Sequence, residues 1–327
     1  MEAKIKTSWF RAFYRRGGIY LFVILLVIVG CFVSGEFLTA GNLLNVLEAV
    51  ALLGIVATGM AFVTYSGHLA DLSVPSTIAF SGIMTVAALP LGLVPALIIG
   101  VLSGLAIGAL NGLVVGAFNA NPILWTLAVA FFMEGLMRFV WSNDQLYPNT
   151  EPGTAGAAFV RIYRVGLGPI PLIVIVMLLL FALAHFIMKK TRLGIETKYV
   201  GASKPAARSS GISVKKVVFL DFLWASFAAS VAGIFITSMN KLGVFYLGQG
   251  YDFKSVTAVV IGGVTLSGGQ GNMAGVFGGV LVMGLLSNIM TFMGVGTFHQ
   301  KIVTGAVFIM VVGLHRYQMS RKGAESA

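Results

Sequence analysis

Residues 92–118, GLVPALIIGVLSGLAIGALNGLVVGAF, run for 27 positions without one charged side chain. In a hydrocarbon layer every backbone N–H and C=O must be satisfied internally, which an uninterrupted helix of about 20 apolar residues does. The stretch predicts a membrane-spanning helix, and nine others resemble it: 18–36, 43–65, 69–89, 121–141, 168–188, 217–239, 253–267, 272–293 and 297–315. The composition agrees: 57% of the 327 residues are hydrophobic and 10% charged, where soluble domains carry about 25% charged residues. The chain reads as an all-α integral membrane protein of about ten helices. Its 41 glycines suit close helix packing in lipid. Cys31 is the single cysteine, so neither disulfides nor a thiolate metal cluster hold the fold, and Cys31 reads as lipid-facing or packed.

Two of the ten segments are irregular. The third carries Asp71, Ser73 and Pro75 near its start, and the eighth is short and runs into Ser267-Gly268-Gly269-Gln270-Gly271. Both are candidates for broken or re-entrant helices, which survive at membrane depth where protein or a water-filled cavity satisfies the backbone. The net charge of +11 falls in blocks between apolar stretches, an orientation signal and not a nucleic-acid surface. Lys4, Lys6, Arg11, Arg15 and Arg16 precede the first span, Arg316, Arg321 and Lys322 follow the last, and the largest block lies between the sixth and seventh spans. With ten spans all three blocks fall on the cytoplasmic side. The predicted organisation is a basic N-terminus over 1–17, a transmembrane domain over 18–315 and a cytoplasmic tail over 316–327. The 142–167 segment lies outside as a short helix or lid. Ile28-Val29-Gly30-Cys31 has a faint likeness to a lipoprotein cleavage site, but losing the first span would set the basic blocks on conflicting sides.

The inner segment 189–216 is polar and basic. Within it, Ser203 stands where it can cap a first helical turn, Pro205 where a missing N–H costs little, and Gly211 where a helix would end. An ordinary solvated loop held inside by its charges would fit. So would a short capped helix lying at the membrane surface, which is what a membrane subunit needs to receive force from a cytoplasmic motor.

The run from Gly194 through Tyr199, Gly201, Ser203, Pro205, Ala206, Ala207, Ser210, Gly211 and Ile212 resembles the coupling segment of permeases from bacterial ribose, xylose and arabinose-type ATP-binding-cassette importers. Asp252, Ala258-Val259-Val260-Ile261-Gly262-Gly263 and Ser267-Gly268-Gly269-Gln270-Gly271 are similar to the same family's acidic residue and glycine runs. Asn111-Gly112, Pro122, Thr126-Leu127 and Gly135 resemble its fourth and fifth spans. The resemblance covers roughly 42–315. It implies a bacterial inner-membrane permease subunit paired with a second copy or a related chain, two ATP-binding subunits on the coupling segments, and a periplasmic binding protein that delivers solute. No Gly-x-x-x-x-Gly-Lys-Ser/Thr occurs, so no phosphate-binding loop of that type is present. The chain is expected to be no enzyme and to hold no cofactor, with ATP and Mg on the partner ATPase.

One stretch departs from the family. Where those permeases show Gly-Gly-Ile-Asp-Leu-Ser-Val-Gly, this chain has Gly67-His68-Leu69-Ala70-Asp71-Leu72-Ser73-Val74-Pro75, with one extra residue, a histidine for a glycine and a proline for the last glycine. His68, Asp71, Ser73, Asn111, Trp125, Thr126, Gly262, Gly263 and Ser267 are the pathway candidates, with the aromatic faces of Phe131 and Phe132 beside them. Tyr246, Tyr251 and Asp252 are the external docking candidates. Within the spans, Glu134 and Arg138 are four apart in the order that favours an ion pair, and Asp221 stands within reach of Lys215 or Lys216. No span carries a file of acids and histidines, which argues against a proton-coupled carrier. Scarce buried charge points to a small neutral solute, a monosaccharide first. A furanone-like signal, a sugar alcohol, a nucleoside or a branched-chain amino acid would fit the same architecture; a secondary carrier, a channel or a scaffold would leave the coupling-like segment without a purpose.

Overall fold

A computed structural model describes the backbone of residues 2–325 and the side chains of residues 18–310, 312 and 313. The basic side chains expected at 4–16 and 316–322, and His315, lie outside the described residues. The helices are α1 (Glu2–Val33), α2 (Ala40–Tyr65), α3 (Val74–Ala88, prolonged by a 3-10 turn to Leu91), α4 (Leu93–Phe118), α5 (Pro122–Val140), α6 (Ala155–Phe159), α7 (Leu172–Lys190), α8 (Arg192–Ala202), α9 (Lys204–Ser209), α10 (Val214–Asn240), α11 (Tyr251–Ile261), α12 (Met273–Phe292) and α13 (Thr297–Glu325). A two-residue hairpin, β1 (Gly166–Leu167) with β2 (Ile170–Pro171), is the one sheet among the described residues. Seven of these helices (α2, α3 with its 3-10 turn, α4, α5, α7, α10 and α12) are long and apolar enough to cross a membrane, and Gly18–Val33 of α1 is a shorter apolar stretch.

The third and eighth segments differ from expectation in length. The helix predicted from residue 69 starts at Val74, because Asp71 Oδ1 takes the Ser73 N–H (2.9 Å) and hydroxyl (2.6 Å) and Pro75 fits a first turn where no N–H is needed. The helix predicted over 253–267 is the eleven-residue α11, about 16 Å long against a core of about 30 Å. Residues 264–267, the last of the predicted segment, lie in the loop beyond it.

The bundle is sewn along α10, which packs on α2, α3 and α4. On α4 every fourth residue from Ala96 to Gly116 is alanine or glycine, and five of these glycines face other helices with no room for a side chain. A Cβ on Gly108 would stand 2.6 Å from Ser226 Cβ, and one on Gly112 2.8 Å from Phe219 Cα; Gly100 and Gly104 press on Thr85 and Ser230, and Gly116 on the Lys215 carbonyl. This is small-residue packing of the kind that stands in for hydrophobic driving force within lipid. Gly59 of α2 approaches Ala225 of α10 equally closely, and Gly233 of α10 meets the Ile78 carbonyl of α3. In contrast α4 and α5 turn long apolar side chains outward: Leu102, Leu113, Leu124, Phe131, Phe132 and Phe139 are exposed. Such an outer surface is expected where lipid or another membrane chain completes the burial.

The 142–167 segment forms α6 and the first strand of the hairpin, and Ser238 Oγ of α10 donates to the Phe159 carbonyl at 2.7 Å. Glu134 and Arg138 form the expected ion pair at 2.9 Å. Arg138 also bonds Asn143 and lies 3.8 Å over the Phe245 ring, while Leu146 and Gly243 exchange backbone hydrogen bonds of 3.0 and 2.8 Å. The loop before α11 is thereby fastened to the end of α5.

Candidate functional site

The predicted pathway residues separate into two groups. The first lies where α3, α4 and α5 meet. Trp125 Nε1 donates to Asn111 Oδ1 (3.1 Å), Asn111 Nδ2 to Ser73 Oγ (2.8 Å), and Ser73 Oγ to Asp71 Oδ1. Thr126 Oγ1 accepts from the Leu72 N–H at 2.9 Å, so the non-helical strand before α3 is pinned to α5. Asp71, Ser73, Asn111 and Thr126 are fully buried. Both ends of the Asn111 amide are engaged within the chain, and Phe131 and Phe132 point outward at 67% exposure; the expected solute contacts through Asn111, Phe131 and Phe132 do not converge on one surface. Asp71 Oδ2 is left without a hydrogen-bond partner in the protein, the one chemically open group of the cluster.

The second group is a backbone junction at one end of the bundle. The last turn of α2 (Tyr65 to Gly67), the α8–α9 joint (Gly201 to Ser203) and the loop after α11 (Ser267 to Gly271) meet with almost no side chain between them. The Gly269 N–H donates to the Tyr65 carbonyl at 2.9 Å. A Cβ on Gly201 would collide with that carbonyl and stand 2.5 Å from Gly269 N; one on Gly268 would stand 2.6 Å from Gly67 Cα and 2.9 Å from Gly201 Cα. Gly67, Gly268 and Gly269 have positive φ of 79°, 83° and 77°, in the left-handed region that glycine enters without penalty. Gly262 sits further up the same loop, where a Cβ would stand 2.5 Å from the Gly275 carbonyl of α12, and Gly263 turns the chain with φ 86° and open space beside it.

Local capping builds α8 and α9. Thr191 Oγ1 accepts from the Gly194 N–H, and Ser203 Oγ accepts from the Ala206 N–H while Pro205 occupies the first turn of α9. Gly211, with φ 77°, ends the segment. Lys198 Nζ caps the end of α7 by donating to the Met188 carbonyl at 2.8 Å, and burial holds its ammonium below the ordinary lysine value. The remaining candidates are dispersed. Ala207 is the buried residue of α9, while Ala206, Ser210 and Gly211 are exposed and Ile212 is half-buried. Tyr199 is 60% exposed beside Ile195 at 47%, four residues apart on one face of α8; the resemblance included Tyr199 and missed Ile195, whose exposure on a polar helix carries no sequence signal. Tyr246 is exposed, and Tyr251 and Asp252 at the start of α11 are half-buried. Asp221 pairs with neither Lys215 nor Lys216: its Oδ1 accepts from Thr197 Oγ1 of α8 at 2.9 Å. No group of three or more metal-ligating side chains is found among the described residues.

A family model described as the permease component of branched-chain amino acid transport systems matches residues 42–312. The chain belongs to this permease family. Over 320 residues, 97% of each chain, the permease is 33% identical to the ribose import permease protein RbsC of Bacillus subtilis (strain 168). Over 322 residues, 98% of its length and 95% of the other, it is 30% identical to the L-arabinose transport system permease protein AraH of Escherichia coli (strain K12). It is 33% identical over 300 residues, 90% of its length and 87% of the other, to the probable ABC transporter permease protein YphD of the same organism. No solved structure matches it. The likeness drawn from its coupling and glycine motifs is therefore borne out, and with seven long apolar helices the permease is a multi-pass protein of the bacterial inner membrane.

Proposed function

We propose that the permease forms the membrane pathway of an ATP-binding-cassette importer for a monosaccharide, with a pentose the first candidate. The observation that carries this is similarity along nearly the whole chain to permeases named for ribose and L-arabinose. The junction supports the division of labour: the end of α8 touches the end of α2 and the loop after α11 backbone to backbone, so force applied there reaches the membrane interior without passing through flexible side chains.

In this reading the chain crosses the membrane ten times with both termini in the cytoplasm, α1, α13, and α11 completed by the non-helical 262–268 run, adding to the seven long spans. It pairs with a second permease chain. Residues 189–216 receive the ATP-binding subunits, which hold ATP and Mg, and the exposed Ile195–Tyr199 face of α8 supplies the apolar contact. The 142–167 segment with Tyr246 meets the periplasmic binding protein.

The test is a mild-detergent pull-down of the tagged permease from its native membrane, followed by uptake of labelled ribose and arabinose into vesicles holding the recovered complex. An ATPase and a solute-binding protein are expected to come with it, and sugar uptake is expected to need ATP. Tyr199→Glu is expected to cut the recovered ATPase by roughly tenfold, the effect of placing a charge in an apolar contact worth about 1.4 kcal/mol. Recovery of the permease alone in several mild detergents, with uptake indifferent to ATP, would replace the importer by a carrier.

A further inference from the structure

His68, which stands in the 67–75 segment where the family has a glycine, does not face the Asp71 cluster. Its ring is 3% exposed and stands edge-on to Phe222 of α10, with 5.9 Å between ring centres. Both ring nitrogens are engaged: Nε2 is 3.0 Å from Lys204 Nζ and Nδ1 is 2.9 Å from Ser66 Oγ. An ammonium only donates, so Nε2 accepts from Lys204 and the ring proton sits on Nδ1, which donates to Ser66. Ser66 Oγ then donates to the Val63 carbonyl at 2.9 Å. The bonds run in one direction, from the start of α9 into the last turn of α2.

Lys204 is the first residue of α9, an end where the helix dipole disfavours a cation. Burial and the neighbouring Arg208 both push its ammonium below the ordinary lysine value. Neither helix stability nor solvation explains a lysine there; the imidazole does. A separate bond, Thr197 to Asp221, fastens α8 to α10. The two ties thus leave from opposite sides of the Gly201–Ser203 joint, one to the rigid α10 and the other to the non-helical strand that leads, three residues on, to Asp71.

Building on the assignment of α8 and α9 as the motor-facing segment, we propose that His68 is a positioning residue that ties α9 to the 68–73 strand, so that movement of α9 is delivered to the Asp71–Ser73–Asn111 cluster. Lys204 is its partner, and the pair sets how much solute moves per ATP hydrolysed.

The test uses the complete importer, permease with its ATPase and binding protein, in proteoliposomes, and measures solute carried per ATP hydrolysed. Lys204→Met and His68→Ala are each expected to lower that ratio by roughly threefold to tenfold, the equilibrium weight of one hydrogen bond. The double variant is expected to be no worse than either single one, because both remove the same tie. His68→Gln is expected to restore the ratio, since its amide offers one acceptor and one donor as the imidazole does. An unchanged ratio in both single variants, or losses that add in the double, overturns the proposal; a purely structural role would lower thermal stability without moving the ratio. If His68→Ala does not accumulate, Lys204→Met against His68→Gln decides. A wild-type complex without solute-dependent ATP hydrolysis refutes the importer itself, whereas a coupled wild type matched by its variants refutes this tie alone.

Discussion

Gly201→Val is expected to abolish solute uptake while leaving the permease inserted in the membrane. The first atom of any side chain at this position would collide with the Tyr65 carbonyl and crowd Gly269 N, the acceptor and donor of the hydrogen bond that joins the end of α2 to the loop after α11. Neither obstacle can rotate away, because both are backbone. Overpacking a well-filled site typically costs about 1–3 kcal/mol, and here the strain falls on the junction and not on the spans, so transport suffers before insertion does. Uptake in whole cells, normalised to membrane-inserted protein, is expected to fall more than tenfold. Gly201→Ala, which already meets the carbonyl, is expected to lie between; uptake at the wild-type level in both would mean that α8–α9 does not act through this contact. Gly211→Ala is expected to behave differently. Nothing lies within 4 Å of a Cβ there, and the cost is the left-handed backbone alone, about 1–2 kcal/mol.

The second large effect is expected at Asp71. Removing its carboxylate in Asp71→Ala leaves the Ser73 N–H and hydroxyl without their shared acceptor in a fully buried site, and each unsatisfied buried group costs about 1–3 kcal/mol. The start of α3 would loosen, and with it the Asn111–Trp125 link to α5. Thermal unfolding in detergent is expected at a markedly lower temperature, with uptake lost. Asp71→Asn retains an acceptor at Oδ1 and is expected to be milder in stability. Its uptake tells whether the unpartnered Oδ2 matters to transport: loss of uptake at near-normal stability would assign Oδ2 a part in the pathway, and equal stability of Asp71→Ala and wild type would refute the bracing role.

Hydropathy placed the long helices well because burial in lipid acts on every residue of a span. It misjudged α3 and α11 for an identifiable reason. A window average registers Asp71 as one polar residue among many and cannot register that its side chain captures the Ser73 N–H; likewise Gly262 and Gly263 count as apolar although they end α11. The α9 cap was legible because its signal is local, Ser203, Pro205 and Gly211 each acting within a few positions. Asp221 misled because its sequence neighbours are basic. At 100° per residue, Lys216 and Lys215 stand about 140° and 240° around the helix from it, and its partner Thr197 belongs to another element. Tyr65 with Gly269 and His68 with Lys204 lie more than 130 positions apart, and no spacing rule reaches across such a distance. Gly201 and Gly211 are alike as letters, yet glycine is required at one by crowding and at the other by backbone twist alone.

The seam between α4 and α10 has a mechanical consequence. From Gly104 to Gly116, about 18 Å of helix, the seam is lined on the α4 side by glycines whose nearest neighbours are serine side chains and the backbone of α10, leaving no long side chains to yield under load. Two helices in such contact behave as a single stiff spar, whereas a leucine-filled seam would absorb part of any displacement by rotamer changes. Val214, the foot of that spar, follows α9 by five residues. Its upper part bears on α3 through Gly82 against Thr237. A stroke at the foot would then arrive at the far side of the bundle nearly undamped, with leverage set by the length of the spar.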